Sequence, residues 1–106
     1  MSEKKKILVV EDDTALLPMI TYNLEKNGFL VKEAINGEDG LLLVKEEMPS
    51  LVIIDWMIPA PSGLEVCRIL RRKKETSSIP IIILSAKGEE EDKIRGLNTG
   101  ADDYIT

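Results

Sequence analysis

The sequence predicts an α/β fold in which a parallel sheet is covered on both faces by helices. Short apolar runs alternate along the chain with helical segments of about ten residues, an alternation typical of parallel sheets. The clearest runs, residues 7–10 and 51–54, are apolar throughout, as expected of strands buried on both faces. Right-handed crossovers between such strands give a doubly wound sheet.

The first half of the chain predicts two strands, each followed by a helix. A strand at residues 5–10 precedes an amphipathic helix at residues 14–27, which ends at a glycine. A strand at residues 30–34 precedes a helix at residues 37–47, which is closed by Pro49. The apolar positions that indicate the two helices are Leu17, Ile20, Leu24, Leu41, Leu42, Leu43 and Val44.

The second half predicts three further strands. The strand at residues 51–54 leads to a helix at 63–73, and the strand at 79–84 leads to a polar helix at 89–98. Residues 103–106 are predicted to form the last strand, with no helix after it. The side chains expected to face inward from these two helices are Leu64, Cys67, Leu70, Ile94 and Leu97.

Composition limits the class of function. The 106 residues fit one domain, with 43% apolar residues for an aliphatic core and a net charge of -5. An acidic chain without a basic stripe is a poor nucleic-acid binder. Histidine is absent and Cys67 is the only cysteine, which argues against zinc, excludes Ser-His and Cys-His catalysis, and fits a reducing cytoplasm. The first apolar run is too short for a signal peptide or membrane span.

Carboxylates directly follow two of the predicted strands. Glu11, Asp12 and Asp13 follow the first strand, and Asp55 follows the third. In a sheet of order 2-1-3-4-5 these strands are neighbours, and ligands bind beyond their carboxyl ends. Two carboxylates about 4 Å apart repel by roughly 4 kcal/mol. Such a cluster needs a cation, its oxygen ligands suit Mg²⁺, and a metal beside an exposed carboxylate can support phosphoryl transfer.

Each of these residues also has a purely structural interpretation. Asp12 and Asp13 could cap the following helix, because aspartate is a favoured N-cap residue, and Asp55 could be a turn residue. The metal site is the stronger interpretation because two strand ends bring acid to one edge; Asp13 is then available for capping. Ser85 could simply end a strand, and Tyr104 could be an ordinary aromatic residue of an edge strand. Only their positions, after the fourth strand and in the fifth, make them candidate functional residues.

Four motifs share residues and spacing with a known family: Ile7-Leu8-Val9-Val10-Glu11-Asp12-Asp13, Ile54-Asp55-Trp56-Met57-Ile58-Pro59, Leu84-Ser85-Ala86-Lys87 and Gly100-Ala101-Asp102-Asp103-Tyr104-Ile105-Thr106. Together they resemble the receiver domains of bacterial two-component response regulators. The likeness is greatest to the OmpR/PhoB subfamily, especially its phosphate-regulon regulators. It covers nearly the whole chain and implies the five-stranded, flavodoxin- and CheY-like order 2-1-3-4-5.

The resemblance implies a metal-assisted phosphoacceptor site. Asp55 matches the aspartate that accepts the phosphoryl group. Asp12 matches the direct Mg²⁺ ligand, and Glu11 matches the acid that usually holds the metal through water. Met57 matches the position whose backbone carbonyl completes the protein ligands.

The resemblance also implies a switch. Ser85 matches the hydroxyl that hydrogen-bonds the phosphoryl group, and Tyr104 matches the aromatic residue that turns inward on activation. Pro59 and Gly63 match the loop that shapes the site.

The resemblance further implies partners and a larger protein. A sensor histidine kinase would phosphorylate the domain, which is a switch and not an enzyme, and a winged-helix DNA-binding output domain would act on the signal. The family's lysine-proline pair and last helix follow the fifth strand, beyond Thr106. We therefore expect residues 1–106 to be a C-terminally incomplete receiver domain. Its dimerisation through the fourth-helix and fifth-strand face is expected to be impaired, and we expect no direct contact with nucleic acid or membrane.

The sequence argues against two other functions. Phosphatases of the haloacid-dehalogenase type also use an aspartate that follows a strand. They resemble one another in having a second aspartate, the general acid, two positions further on, and this chain has Met57 at that position. A flavin-binding flavodoxin-like module would need a phosphate-binding loop after the first strand. This chain has acid there, which would repel phosphate.

Overall fold

The computed structural model describes residues 4–85, 97–98 and 100–105, in which strands and helices alternate. The predicted parallel α/β architecture is confirmed. The elements are β1 (Lys6–Val10), α1 (Leu16–Lys26), β2 (Leu30–Ala34), α2 (Gly37–Glu47), β3 (Leu51–Asp55), α3 (Gly63–Arg72), β4 (Ile81–Leu84) and β5 (Asp103–Ile105).

The strands form one parallel sheet in the order β2-β1-β3-β4-β5. Val10 at the end of β1 lies opposite Ile54 of β3. Asp55, one residue further along β3, lies opposite Leu84 of β4. This register brings the carboxyl ends of β1, β3 and β4 together at one edge of the sheet.

Alternate side chains of β1 enter two different cores, as the pleat of a strand requires. Ile7 and Val9 pack with Leu17 of α1 on one face of the sheet. Leu8 and Val10 point to the other face, where α2 and α3 supply the partners. The predicted inward residues of α3 are all buried in this second core: Leu64, Cys67 and Leu70.

Side-chain caps fix where α2 and α3 begin. The Asn36 side chain accepts a hydrogen bond from the Asp39 N–H at 2.7 Å. The Ser62 hydroxyl accepts one from the Glu65 N–H at 3.3 Å, in the Ser-x-x-Glu pattern of a capping box. Because α2 follows β2 and α3 follows β3, both helices start at the carboxyl edge of the sheet, and their first residues bond to the loop that follows β3.

Some sequence-based expectations change. The predicted helix at 89–98 falls outside the described residues except for its last two positions. Leu97, expected to face inward, is 45% exposed, and Leu42 in the apolar run of α2 is 54% exposed. The Gly100 N–H donates to the Leu97 carbonyl at 3.1 Å, so Leu97 belongs to a terminal turn. No helix among the described residues is long and apolar enough to cross a membrane.

Candidate functional site

Three carboxylates meet where β1 and β3 end. Glu11 and Asp12 follow β1, and Asp55 is the last residue of β3. One carboxylate oxygen from each of the three lies within 4.8 Å of the others. The parallel pairing of β1 and β3 produces this cluster, as the positions of the acids in the sequence indicated.

Glu11 is the buried member of the cluster, with 2% of its surface exposed. Its Oε2 accepts a hydrogen bond from the Asp13 N–H at 3.1 Å. Burial raises the pKa of the Glu11 carboxyl from 4.5 to about 7. The Asp13 N–H opposes this rise, whereas the neighbouring Asp55 and Asp12 carboxyls add to it. The Glu11 carboxyl thus holds its proton more tightly than an exposed glutamate does.

Asp13 has a different role from its two neighbours. Its Oδ1 accepts hydrogen bonds from the Ala15 N–H at 2.8 Å and the Leu16 N–H at 3.1 Å. These bonds satisfy backbone donors at the start of α1, although the N-cap residue itself is Ala15. The structure therefore places Asp13 at the helix start, outside the three-carboxylate cluster.

The loop after β3 orients Asp55. Its Oδ1 accepts a hydrogen bond from the Met57 N–H at 3.1 Å, while the Met57 side chain is 63% exposed. The Gly63 N–H donates to the Trp56 carbonyl at 3.1 Å, and the Gly37 N–H reaches the Pro59 carbonyl at 3.4 Å. Backbone contacts from the starts of α2 and α3 thereby hold the loop in place. A metal-ligand role for the Met57 carbonyl stays a prediction.

A cavity of about 470 Å³ opens over the cluster. Ser85 is buried in its wall, and its N–H donates to the Ile105 carbonyl at 3.0 Å. Tyr104 lies in β5 opposite Ile83 of β4, and its side chain lies outside the described part of the chain. The cavity is lined by Glu11, Asp12, Asp13, Leu16, Asp55, Leu84, Ser85 and Ile105.

Three apolar lining residues were not anticipated: Leu16, Leu84 and Ile105. A signal for one of them was present, because Leu84 ends the fourth apolar run just before Ser85. In a parallel sheet such a residue lies beside the carboxyl end of the neighbouring strand. Leu16 and Ile105 depend on how α1 and β5 meet the sheet edge, which a periodic pattern does not report.

The donor set fits a hard divalent cation. Carboxylate oxygens are the ligands that Mg²⁺ prefers. The pKa of Glu11 is raised chiefly by burial and further by the nearby Asp55 and Asp12 carboxyls, and a bound cation would favour the charged form of all three. Two ion pairs are found in the described parts of the chain, Lys6 with Glu47 and Arg71 with Asp102. Neither of them involves a carboxylate of the cluster.

Fold and site together define a parallel α/β domain with an acidic cluster at the carboxyl edge of its sheet, and comparison identifies its family. The response regulator receiver domain family matches residues 7–106, so the chain belongs to that family, the receiver domains of two-component signalling. Receiver domains generally bind Mg²⁺ at an acidic pocket, and this chain has an acidic cluster formed by Glu11, Asp12 and Asp55.

Among curated proteins, the chain is similar to the phosphate regulon transcriptional regulatory protein PhoB of Rhizobium meliloti. The two are 50% identical over 100 residues, which cover 94% of this chain and 44% of PhoB. The chain thus spans less than half the length of this relative.

Among solved structures, the receiver domain of Francisella response regulator 1452 has a TM-score of 0.91 and 37% identity. The match covers 97% of this chain and 84% of that one. The BeF3-activated receiver domain of Klebsiella pneumoniae RstA has a TM-score of 0.88 and 33% identity, over 94% of this chain and 83% of that one. These likenesses support the CheY-like receiver fold.

Proposed function

We propose that Asp55 accepts a phosphoryl group from a sensor histidine kinase and that the resulting change of charge is the signal. The observation that carries this proposal is the convergence of the Glu11, Asp12 and Asp55 carboxylates within 4.8 Å. Asp55 is half-buried and faces the cavity that Ser85 also lines. A carboxylate that sits beside a cation site, in a cavity large enough for a phosphoryl group, suits acyl phosphate formation.

The transfer is a displacement at phosphorus. An Oδ atom of Asp55 attacks the phosphorus of the kinase phosphohistidine, and the P–N bond breaks. The bonding pair returns to the imidazole nitrogen, which takes up a proton. The Met57 N–H, which binds Asp55 Oδ1 at 3.1 Å, keeps the carboxylate aimed into the cavity.

Glu11, Asp12 and Asp55 would hold Mg²⁺, with the Met57 backbone carbonyl as a further ligand. Bound there, the ion offsets the negative charge of the carboxylates and of the incoming phosphoryl oxygens. Ser85 supplies the switch hydroxyl for the phosphoryl group, and Tyr104 in β5 is the switch aromatic residue.

The downstream role is regulatory. Relatives such as PhoB are named as transcriptional regulators, and we propose that this domain controls a DNA-binding output domain without itself contacting nucleic acid. The RstA receiver domain is described as BeF3-activated, which supports a phosphoryl-sensing site in this family. Self-association through the fourth-helix and fifth-strand face, and a cytoplasmic location, stay predictions.

Intact-mass spectrometry after incubation with acetyl phosphate and Mg²⁺ tests the proposal. The chain should gain the mass of one phosphoryl group, and Asp55→Asn should gain none. Asp13→Asn is the matched control, because Asp13 is a neighbouring acid outside the cluster; it should still be modified. Equal modification of Asp55→Asn and of the unchanged chain would contradict the assignment.

A further inference from the structure

Arg71 joins three parts of the chain at the amino end of β4 and β5. It lies in the last turn of α3. Its Nε donates to the Gly100 carbonyl at 2.7 Å, and its Nη1 donates to the carbonyls of Ile79 at 2.6 Å and Ser77 at 3.2 Å. Its Nη2 donates to Asp102 Oδ2 at 2.8 Å. One side chain thus connects α3, the segment before β4 and the turn before β5.

Asp102 links Arg71 to the sheet, because it also bonds to the first residue of β4. Its Oδ2 also accepts a hydrogen bond from the Ile81 N–H at 2.8 Å. Its own N–H donates to the Ile81 carbonyl, again at 2.8 Å. The first residue of β4 is therefore bound twice to Asp102, and the β4–β5 pairing begins one residue later, with Ile82 opposite Asp103. The contact with Arg71 is made at the point where the register of β5 is set.

Gly100 allows the arginine to reach this position. A β-carbon at Gly100 would lie 2.6 Å from Cγ of Arg71, so the arginine stem lies across the bare backbone of the turn. The Arg71 side chain is 21% exposed, and four of its five donors point at the acceptors described above. A lysine has the same charge but lacks the planar fork of donors that reaches several acceptors at once.

The strand that this arrangement supports is short and lies at the end of the sheet. β5 has three residues and pairs with β4 alone in the strand order. At its far end the Ile105 carbonyl accepts the Ser85 N–H at 3.0 Å. Any slip of β5 would therefore move the backbone partner of Ser85 and the strand that carries Tyr104.

We propose that Arg71 is a positioning residue for the switch strand β5. By binding Gly100 and Asp102 from α3, it fixes the register of β5 against β4, and so the place of Ser85 at the phosphoacceptor cavity. The claim that Arg71 fixes the register of β5 concerns the fold alone. The claim that this register affects the switch rests on the proposed function.

Amide hydrogen exchange on Arg71→Gln, Arg71→Lys and the exposed neighbour Arg72→Gln tests the claim about the register. In Arg71→Gln the amides of Ile105 and Ser85 should exchange about tenfold faster, because charge-assisted bonds are lost from one edge of the sheet. The exchange rate of the Val9 amide in β1 should change less than about twofold. Arg71→Lys should recover only part of the protection, and Arg72→Gln should behave like the unchanged chain.

The link to the switch is tested by the initial rate of phosphoryl incorporation from acetyl phosphate. In Arg71→Gln that rate should fall at least about threefold, because Ser85 would be misplaced near the reacting carboxylate. The Mg²⁺ concentration that gives half-maximal rate should change less than about twofold. Uniformly faster exchange across the sheet, or unchanged exchange at Ile105, would overturn the positioning role. If the unchanged chain takes up no phosphoryl group while the selective exchange effect is present, the proposed function fails and the structural role of Arg71 stands.

Discussion

Gly63 packs its α-carbon against the backbone carbonyl of Asp55. A β-carbon at Gly63 would collide with that carbonyl oxygen and would lie 2.9 Å from the Trp56 α-carbon. Both contacts are with backbone, which cannot move aside as a flexible side chain could. The start of α3 is thus seated on the residue that we propose accepts the phosphoryl group, so the helix and the site are packed as one unit.

Substituting Gly63 should disturb stability and the site together. Gly63→Ala is expected to lower the free energy of unfolding by about 1–3 kcal/mol, because the added methyl group overpacks a fixed backbone contact. Urea unfolding measures this. Arg68→Ala, an exposed change in the same helix, is the control and should fall within about 0.5 kcal/mol of the unchanged chain. Equal effects of the two substitutions would contradict the packing argument.

Mg²⁺ should stabilise the folded chain through the carboxylate cluster. An ion that binds the folded state and not the unfolded state raises the stability by about 2.7 kcal/mol at a hundred times its Kd. The melting temperature should therefore rise with Mg²⁺ concentration, and Asp12→Asn should remove most of that rise. Asp13→Asn should retain it, because Asp13 bonds to the start of α1. A response of Asp12→Asn equal to that of the unchanged chain would place the ion elsewhere.

The raised pKa of Glu11 predicts a pH-dependent stability in the absence of metal. Between pH 4.5 and about 7 the folded chain binds more protons at Glu11 than the unfolded chain does. Stability should therefore fall as pH rises through this window and level off above it, by at most about 3 kcal/mol. Urea midpoints measured across the window should show the fall, and Glu11→Gln should remove it. Saturating Mg²⁺ should also suppress it, because the metal replaces the proton. The assignment would be contradicted if the stability of the unchanged chain rose with pH across this window while that of Glu11→Gln did not.

Trp56 should report metal binding. It is 6% exposed in the core, and it lies between Asp55 and Met57, whose N–H binds the Asp55 carboxylate. Ordering of this loop around Mg²⁺ should change the fluorescence of the only tryptophan in a saturable way. The change should be lost in Asp12→Asn and retained in Asp13→Asn. A fluorescence change that does not saturate, or that is equal in Asp12→Asn, would show that the signal arises away from the cluster.

The sequence predicted the parts of the site that depend on strand ends. Glu11, Asp12 and Asp55 each follow an apolar run, and parallel pairing of β1 with β3 is enough to bring them together. Such a prediction works because the register of a parallel sheet leaves little freedom at its carboxyl edge.

Contacts with backbone atoms were not predictable in the same way. Arg71 binds the carbonyls of Ile79 and Gly100, and every residue has a carbonyl, so no side-chain pattern marks those partners. Gly37 is similar: a β-carbon there would collide with the Pro61 carbonyl, 24 residues on in the chain. Leu97 shows a further limit, because apolar spacing identifies one side of a helix but not whether its last turn remains covered.

The most direct test of the central claim is to locate the phosphoryl group. Borohydride cleaves an aspartyl phosphate and reduces the modified side chain to homoserine, which marks the residue permanently for peptide mass spectrometry. After acetyl phosphate and Mg²⁺, homoserine should appear at Asp55, with none at Asp12 or Asp13, and omission of Mg²⁺ should abolish it. Homoserine at another acid, or none at Asp55 in the presence of Mg²⁺, would contradict the account.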